Sequence, residues 1–154
     1  MNEQTPYETG PVKNLTEALY AFVEAYDKLQ KVINDAAESS ENEQDFAHFK
    51  NLLQLTMYRP VNLIGESRPA LSLYEIGVVY FPATGKYSAH KGKLEQALRL
   101  RLEDIRALFM QYDGLLPRLC EILPEFLTDE PPVEVFAASM RFLNECRRLS
   151  AMLV

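Results

Sequence analysis

Leu15, Leu19, Phe22, Tyr26, Leu29, Ile33 and Ala36 recur at alternating spacings of four and three residues. An α-helix turns once per 3.6 residues, so this spacing puts all seven on one stripe, whereas a strand would scatter them over both faces. The chain must therefore lay one long helix, roughly 15–38, along elements that cover the stripe. Glu17, Glu24, Asp27, Lys28 and Lys31 fall off it and are expected in water. Asn14, with Glu17 three residues on, has the capping-box pattern for its start.

Other segments repeat the signal. Phe46, Phe49, Leu52, Leu53, Leu55 and Met57 give residues 44–58 an apolar face so broad that this helix is expected to be largely buried. Pro60 ends it, because the residue before a proline is pushed out of helical geometry. Leu94, Leu98, Leu102, Ile105, Phe109 and Tyr112 predict one helix over about 90–112, with Gly114 suited to a left-handed closing residue. Residues 116–127 predict a shorter helix, with Pro117 tolerable in its first turn and Pro124 expected to kink or shorten it. Asp129 can cap the last helix, with Pro131 and Pro132 in its first turn. Val135, Phe142, Cys146, Leu149 and Leu153 trace one face of that helix. The polar segment 38–44 connects the first two helices. The pattern predicts an all-α fold: a single-domain antiparallel bundle of about five helices over 13–154, with residues 1–12 a flexible N-terminal arm.

At 154 residues the chain can bury a core without staples. Its formal net charge of -6 favours solubility over binding of a polyanion. Cys120 and Cys146 both lie in apolar helical patterns and read as small buried hydrophobes, which suits a reducing cytosol. No run approaches the ~18 apolar residues of a membrane span. The first residues have neither the basic start nor the apolar core of a secretory signal. No membrane association and a cytoplasmic location are the expectations.

The stretch 59–93 breaks the helical pattern, holding four of the six glycines and three of the nine prolines. Two forms are open to it. Ser72 and Glu75 have capping-box spacing, which would start a short helix through residues 73–81 that Pro82 stops. Val78, Val79, Tyr80 and Phe81 favour a strand instead, with residues 82–85 a hairpin turn into Lys86–Ala89. The short helix is the expectation, because two strands without a third are marginal. Tyr80 and Phe81 are then expected mainly in the core, with Lys86, Tyr87 and the following turn exposed.

Tests for chemistry fail one by one. Gly85-Lys86 would need a glycine five residues earlier and Ser or Thr after the lysine to be a phosphate-binding loop, and Tyr80 and Tyr87 stand there. Gly65-Glu66-Ser67-Arg68-Pro69 has a proline where a nucleophile elbow needs its last glycine. Asp45 and His48 share a helix face, but a di-metal bundle needs two Glu-x-x-His motifs and two further glutamates, and the chain has only two histidines. The expectation is a protein that is not an enzyme, with no catalytic residues, no metal, no cofactor and no small-molecule substrate.

Charge singles out the same central stretch. Residues 1–50 hold four Lys/Arg against ten Asp/Glu, whereas residues 59–93 hold five against two. Lys91, Glu95, Arg99 and Glu103 are four apart and predict a self-neutralising ladder, and Arg101 and Arg106 have Asp104 and Glu103 within three residues. Arg59, Arg68, Lys86 and Lys93 are left without a local partner. With Tyr74 and Tyr87 they form a candidate partner-binding set, tyrosine and arginine being common interface anchors. The apolar C-terminus, Leu149, Met152 and Leu153, is a second candidate contact edge. The expected function is a non-catalytic interaction or adaptor subunit that binds a protein partner, or a second copy of itself, through these two regions. The alternative is a small helical subunit of a nucleoprotein assembly whose central basic patch touches an RNA or DNA backbone.

Overall fold

A computed structural model describes residues 6–38, 43–65 and 68–154, apart from the side chains of residues 6–11 and 43–45. The fold is mostly helical, with two small two-stranded sheets in the middle of the chain. Among the described residues no helix is long and apolar enough to cross a membrane.

Helix α1 spans Pro6–Glu38 and packs against much of the rest. It starts well before residue 15, so residues 6–12, expected as part of an arm, are helical. Val12 explains the extension: it continues the four-and-three stripe by one more turn and packs against the core. Asn14 therefore lies inside the helix and does not cap it. The stripe itself is buried as its spacing requires, with Phe22, Leu29 and Ile33 fully enclosed. Phe22 meets Phe109 edge-on at 5.8 Å between ring centroids and Phe142 at 5.3 Å.

Helix α2, Glu43–Tyr58, is not buried as widely as its composition suggests. Phe46, Phe49, Leu53 and Met57 face the core, while Leu52, Leu55 and Tyr58 form a second stripe that is open to solvent. One face of a helix cannot hold all of its apolar residues, and α1 and α5 cover only one side. After Pro60 come two short antiparallel strands, β1 (Val61–Asn62) and β2 (Ala70–Leu71). Gln111 clamps this loop, donating to the Asn62 carbonyl at 2.7 Å and accepting the Ile64 N–H at 3.0 Å.

The short helix expected over 73–81 exists only as a single 3₁₀ turn, Leu73–Ile76. Its capping box is real: Glu75 accepts the Ser72 N–H at 3.1 Å and the Ser72 hydroxyl. Gly77 then adopts φ of 95°, a left-handed conformation that ends the turn. The β-branched residues beyond it extend into β3 (Val78–Phe81), paired with β4 (Lys86–Ala89) in a hairpin closed by hydrogen bonds from Thr84 and Gly85 to the Phe81 carbonyl. Two strands alone are marginal. Here α1 supplies the missing support, because Asp27 accepts the Tyr87 N–H at 3.1 Å and Tyr26 packs edge-on against the Tyr87 ring at 5.6 Å.

The helix predicted over 90–112 is two helices, α3 (Lys91–Leu100) and α4 (Leu102–Met110), broken at Arg101. The first packs on α1 and the 3₁₀ turn, the second on α5 and α6, and one straight axis does not serve both. His90 caps α3, its Nδ1 accepting the Lys93 N–H at 3.1 Å. Gly114 is not left-handed but precedes α5 (Leu115–Leu127) with φ of -77°. It is small because a Cβ there would lie 2.7 Å from the Leu108 carbonyl oxygen. Helix α5 continues past Pro124 to Leu127, and α6 (Val133–Leu153) starts after Pro132 without a side-chain cap from Asp129. Cys146 is buried, whereas Cys120 is exposed, because it falls on the outer side of α5. Of the polar connection expected over 38–44, Glu38 ends α1 and residues 43–44 begin α2; residues 39–42, like Glu66-Ser67, lie outside the described residues.

Candidate functional site

The sequence-predicted contact residues do not form one site. Arg68 is bound within the fold: it contacts Asp104 at 2.6 Å and donates to the Ile64 carbonyl at 2.9 Å. Arg101 reaches the same carboxylate at 3.4 Å. These two guanidinium groups, Arg68 first, hold the Asp104 carboxyl below the usual carboxylate range. Arg59 is exposed at the end of α2, and Lys86 is exposed at the start of β4. Lys93 lies 5.4 Å from the centre of the Tyr74 ring, a cation–π contact at the surface.

Tyr87 was expected outside and is inside. Alternation along β4 turns its ring toward α1, where it also meets Tyr80 at 5.2 Å. Phe81 was expected inside and is about half exposed, since it points to the opposite face from Tyr80. At the C-terminus, Leu149 and Leu153 are buried, Met152 packs partly against the core, and the Leu153 carbonyl accepts Arg106 Nε at 2.7 Å. That end of α6 docks on its own molecule and presents no free apolar edge through those leucines.

Tertiary structure gathers a different group. Two adjoining hollows share Tyr58, Tyr80 and Tyr87 as a common wall. One, of about 410 Å³, continues past Pro60 to Tyr74; the other, of about 460 Å³, continues to Leu55 and Pro82. Leu55, Tyr58 and Tyr74 are the exposed apolar side chains that line them. Sequence reading missed Leu55 and Tyr58, although their spacing of three, away from the Phe49–Leu53–Met57 stripe, was a signal that α2 carried more apolar residues than one face holds. The rings offer apolar area and the Asn51 and Gln54 amides offer hydrogen bonds, a combination suited to holding a peptide or protein surface.

Asp27 is the other residue that the pattern misplaced. It lies off the buried stripe, yet the hairpin folds over it and half-buries it. Burial pushes its carboxyl up to about 6, against the opposing pull of the Tyr87 N–H and of Lys86. Burial likewise pushes the Tyr26 and Tyr87 hydroxyls up, so both stay protonated at neutral pH. The Tyr26 hydroxyl accepts Gln30 Nε2 at 3.0 Å. Of the other tested motifs, His48 is exposed on α2, Gly85 closes the hairpin turn with Lys86 beginning β4, and the Asp45 side chain and Glu66-Ser67 are outside the described residues. No family model, no curated protein and no solved structure matches this chain.

Proposed function

We propose that the protein is a non-catalytic interaction subunit, an antiparallel helical bundle that binds a protein partner through the tyrosine-walled face between α2 and the β3–β4 hairpin. The observation that carries this reading is the clustering of exposed Leu55, Tyr58 and Tyr74 around two adjoining hollows. Apolar patches rimmed by polar groups mark contact sites, and aromatic side chains supply much of their binding energy. Arg59, Lys86 and Lys93 stand at the edge of this face and act as rim charges that orient a partner. The nucleic-acid alternative is weaker, because Asp104 neutralises Arg68 and removes it from the candidate basic set.

The test is native affinity purification of the full chain with nuclease-treated controls, beside the double variant Leu55→Asp/Tyr58→Asp. A defined protein should be retained by the wild type and lost by the double variant, while Val133→Asp at the exposed start of α6 keeps it. A chain that stays monomeric and retains nothing specific overturns the proposal. Nuclease-sensitive retention that weakens with salt and with Lys86→Glu/Lys93→Glu would favour the nucleic-acid reading instead.

A further inference from the structure

A separate, larger hollow of about 700 Å³ lies between α2 and α5, on residues that the tyrosine-walled face does not use. Its floor is a stacked pair: the Phe49 and Phe126 rings lie parallel with centroids 3.6 Å apart. Leu52, one of the exposed apolar residues of α2, and the partly exposed Ile122 of α5 flank it. The floor alone would suit any apolar occupant.

The rim narrows the choice. Glu125, Asp129 and Glu130 line it, all three exposed, and none takes part in an ion pair among the described residues. No lysine or arginine lines the groove among the described residues. The last turn of α5 also borders it, and the C-terminal end of a helix carries partial negative charge that adds to the carboxylates. Backbone hydrogen bonds from Asp129 to the Phe126 carbonyl and from Glu130 to the Leu127 carbonyl tie this acidic turn to α5. The groove is therefore apolar below, with three carboxylates and the His48 imidazole of α2 as the polar side chains above, among the described residues.

We infer that this groove is a docking site for a basic amphipathic helix of another protein. Its banks are two helices in contact at the floor, which is the setting in which a third helix can lay its apolar stripe while its flanking Lys and Arg meet the rim. A second copy of this chain is the poorer occupant, since it brings a net charge of -6 to a rim of the same sign. The inference does not rest on the tyrosine-walled face, and either can fail without the other.

The probe is a fluorescein-labelled synthetic helix of about 18 residues, five turns, with leucines at i, i+3, i+4 and i+7 and lysines elsewhere. Controls are the same peptide with glutamate for lysine and a scramble of identical composition that has no apolar stripe. Anisotropy titrations should show the Lys/Leu helix bound at one per chain and both controls bound at least about tenfold more weakly. Glu125→Lys/Asp129→Lys/Glu130→Lys, and separately Leu52→Asp, should each weaken it about tenfold, with circular dichroism verifying the fold. Three reversals elsewhere, Glu17→Lys/Glu24→Lys/Glu95→Lys, should change it by less than about threefold, as screened distant charges do. Absence of binding, equal binding of the scramble, or equal loss from the remote reversals overturns the inference. Sedimentation showing a homodimer that Leu52→Asp dissolves assigns the groove to a second copy and overturns it as well.

Discussion

Replacing Asp27 with asparagine should stabilise the protein at neutral pH. The Asp27 carboxyl titrates near 6 in the folded chain against 3.8 as its ordinary value, with burial as the main cause. Between those values the native state binds more protons than the unfolded chain, so stability falls as pH rises from about 4 to about 6. A shift of this size corresponds to roughly 3 kcal/mol. Asp27 is only half-buried, and solvent screening cuts the figure to about 1–1.5 kcal/mol. Asparagine keeps an oxygen that accepts the Tyr87 N–H and removes the charge that burial opposes. Urea unfolding followed by circular dichroism at pH 7, 5.5 and 4 reads the effect directly. Asp27→Asn should exceed wild type by about 1–1.5 kcal/mol at pH 7, or about 2–6 °C in melting temperature, and should match it near pH 4. Asp27→Ala should fall about 1 kcal/mol below Asp27→Asn, because the Tyr87 N–H is left without its acceptor. If Asp27→Asn is less stable than wild type at pH 7, the ionised carboxylate is a net stabiliser and the reasoning fails.

Three further expectations can be checked by the same unfolding assay. Gly77→Ala should cost about 1–3 kcal/mol, since a φ of 95° is strained for alanine and its Cβ would sit 3.1 Å from the Lys93 Cβ. Phe22→Ala should cost about 3–5 kcal/mol, because the ring is fully buried between Phe109 and Phe142. Arg68→Ala should cost only about 0.5–1 kcal/mol, as both partners of the pair are about one-third exposed. It should also raise the Asp104 titration toward the ordinary carboxylate value in a carboxyl-resolved NMR experiment. The stability due to this pair is present at neutral pH and is lost as pH falls through the lowered Asp104 value.

How much could be read from residues alone varies by element. The α1 stripe was legible from Leu15 to Ala36 because helical geometry repeats locally, and Val12 would have extended it had the proline at 11 not argued for an arm. The buried face of α6 was legible for the same reason. The break at Arg101 was not, since neither Gly nor Pro marks it and only the different neighbours of α3 and α4 require it. The centre was half legible: Ser72, Glu75 and Gly77 define a capped turn and its stop, and Val78 to Phe81 favour an extended strand. What local rules could not supply was a third element to support two strands.

The contact residues divide along the same line. Arg59, Lys86, Lys93 and Tyr74 are exposed because the loop and its flanks carry them outward, which composition already suggested. Arg68, Tyr87, Leu149 and Leu153 are occupied within the fold, each by a residue at least 36 positions away or on another helix. Leu55 and Tyr58 became surface only because α1 and α5 cover one side of α2.

From sequence alone came the helical class, the long seam of α1, the buried face of α6 and the irregular centre. Each follows from spacing within about two turns or from the backbone limits of Gly and Pro, both properties of neighbouring residues. Tertiary structure alone decided that α1 would support the hairpin through Asp27 and Tyr26, and that tyrosines from α2, β3 and β4 would wall one surface. It also decided that α2 and α5 would leave an acid-rimmed groove. Burial, ion pairing and the assembly of a surface depend on which distant segments meet, and no local periodicity encodes that.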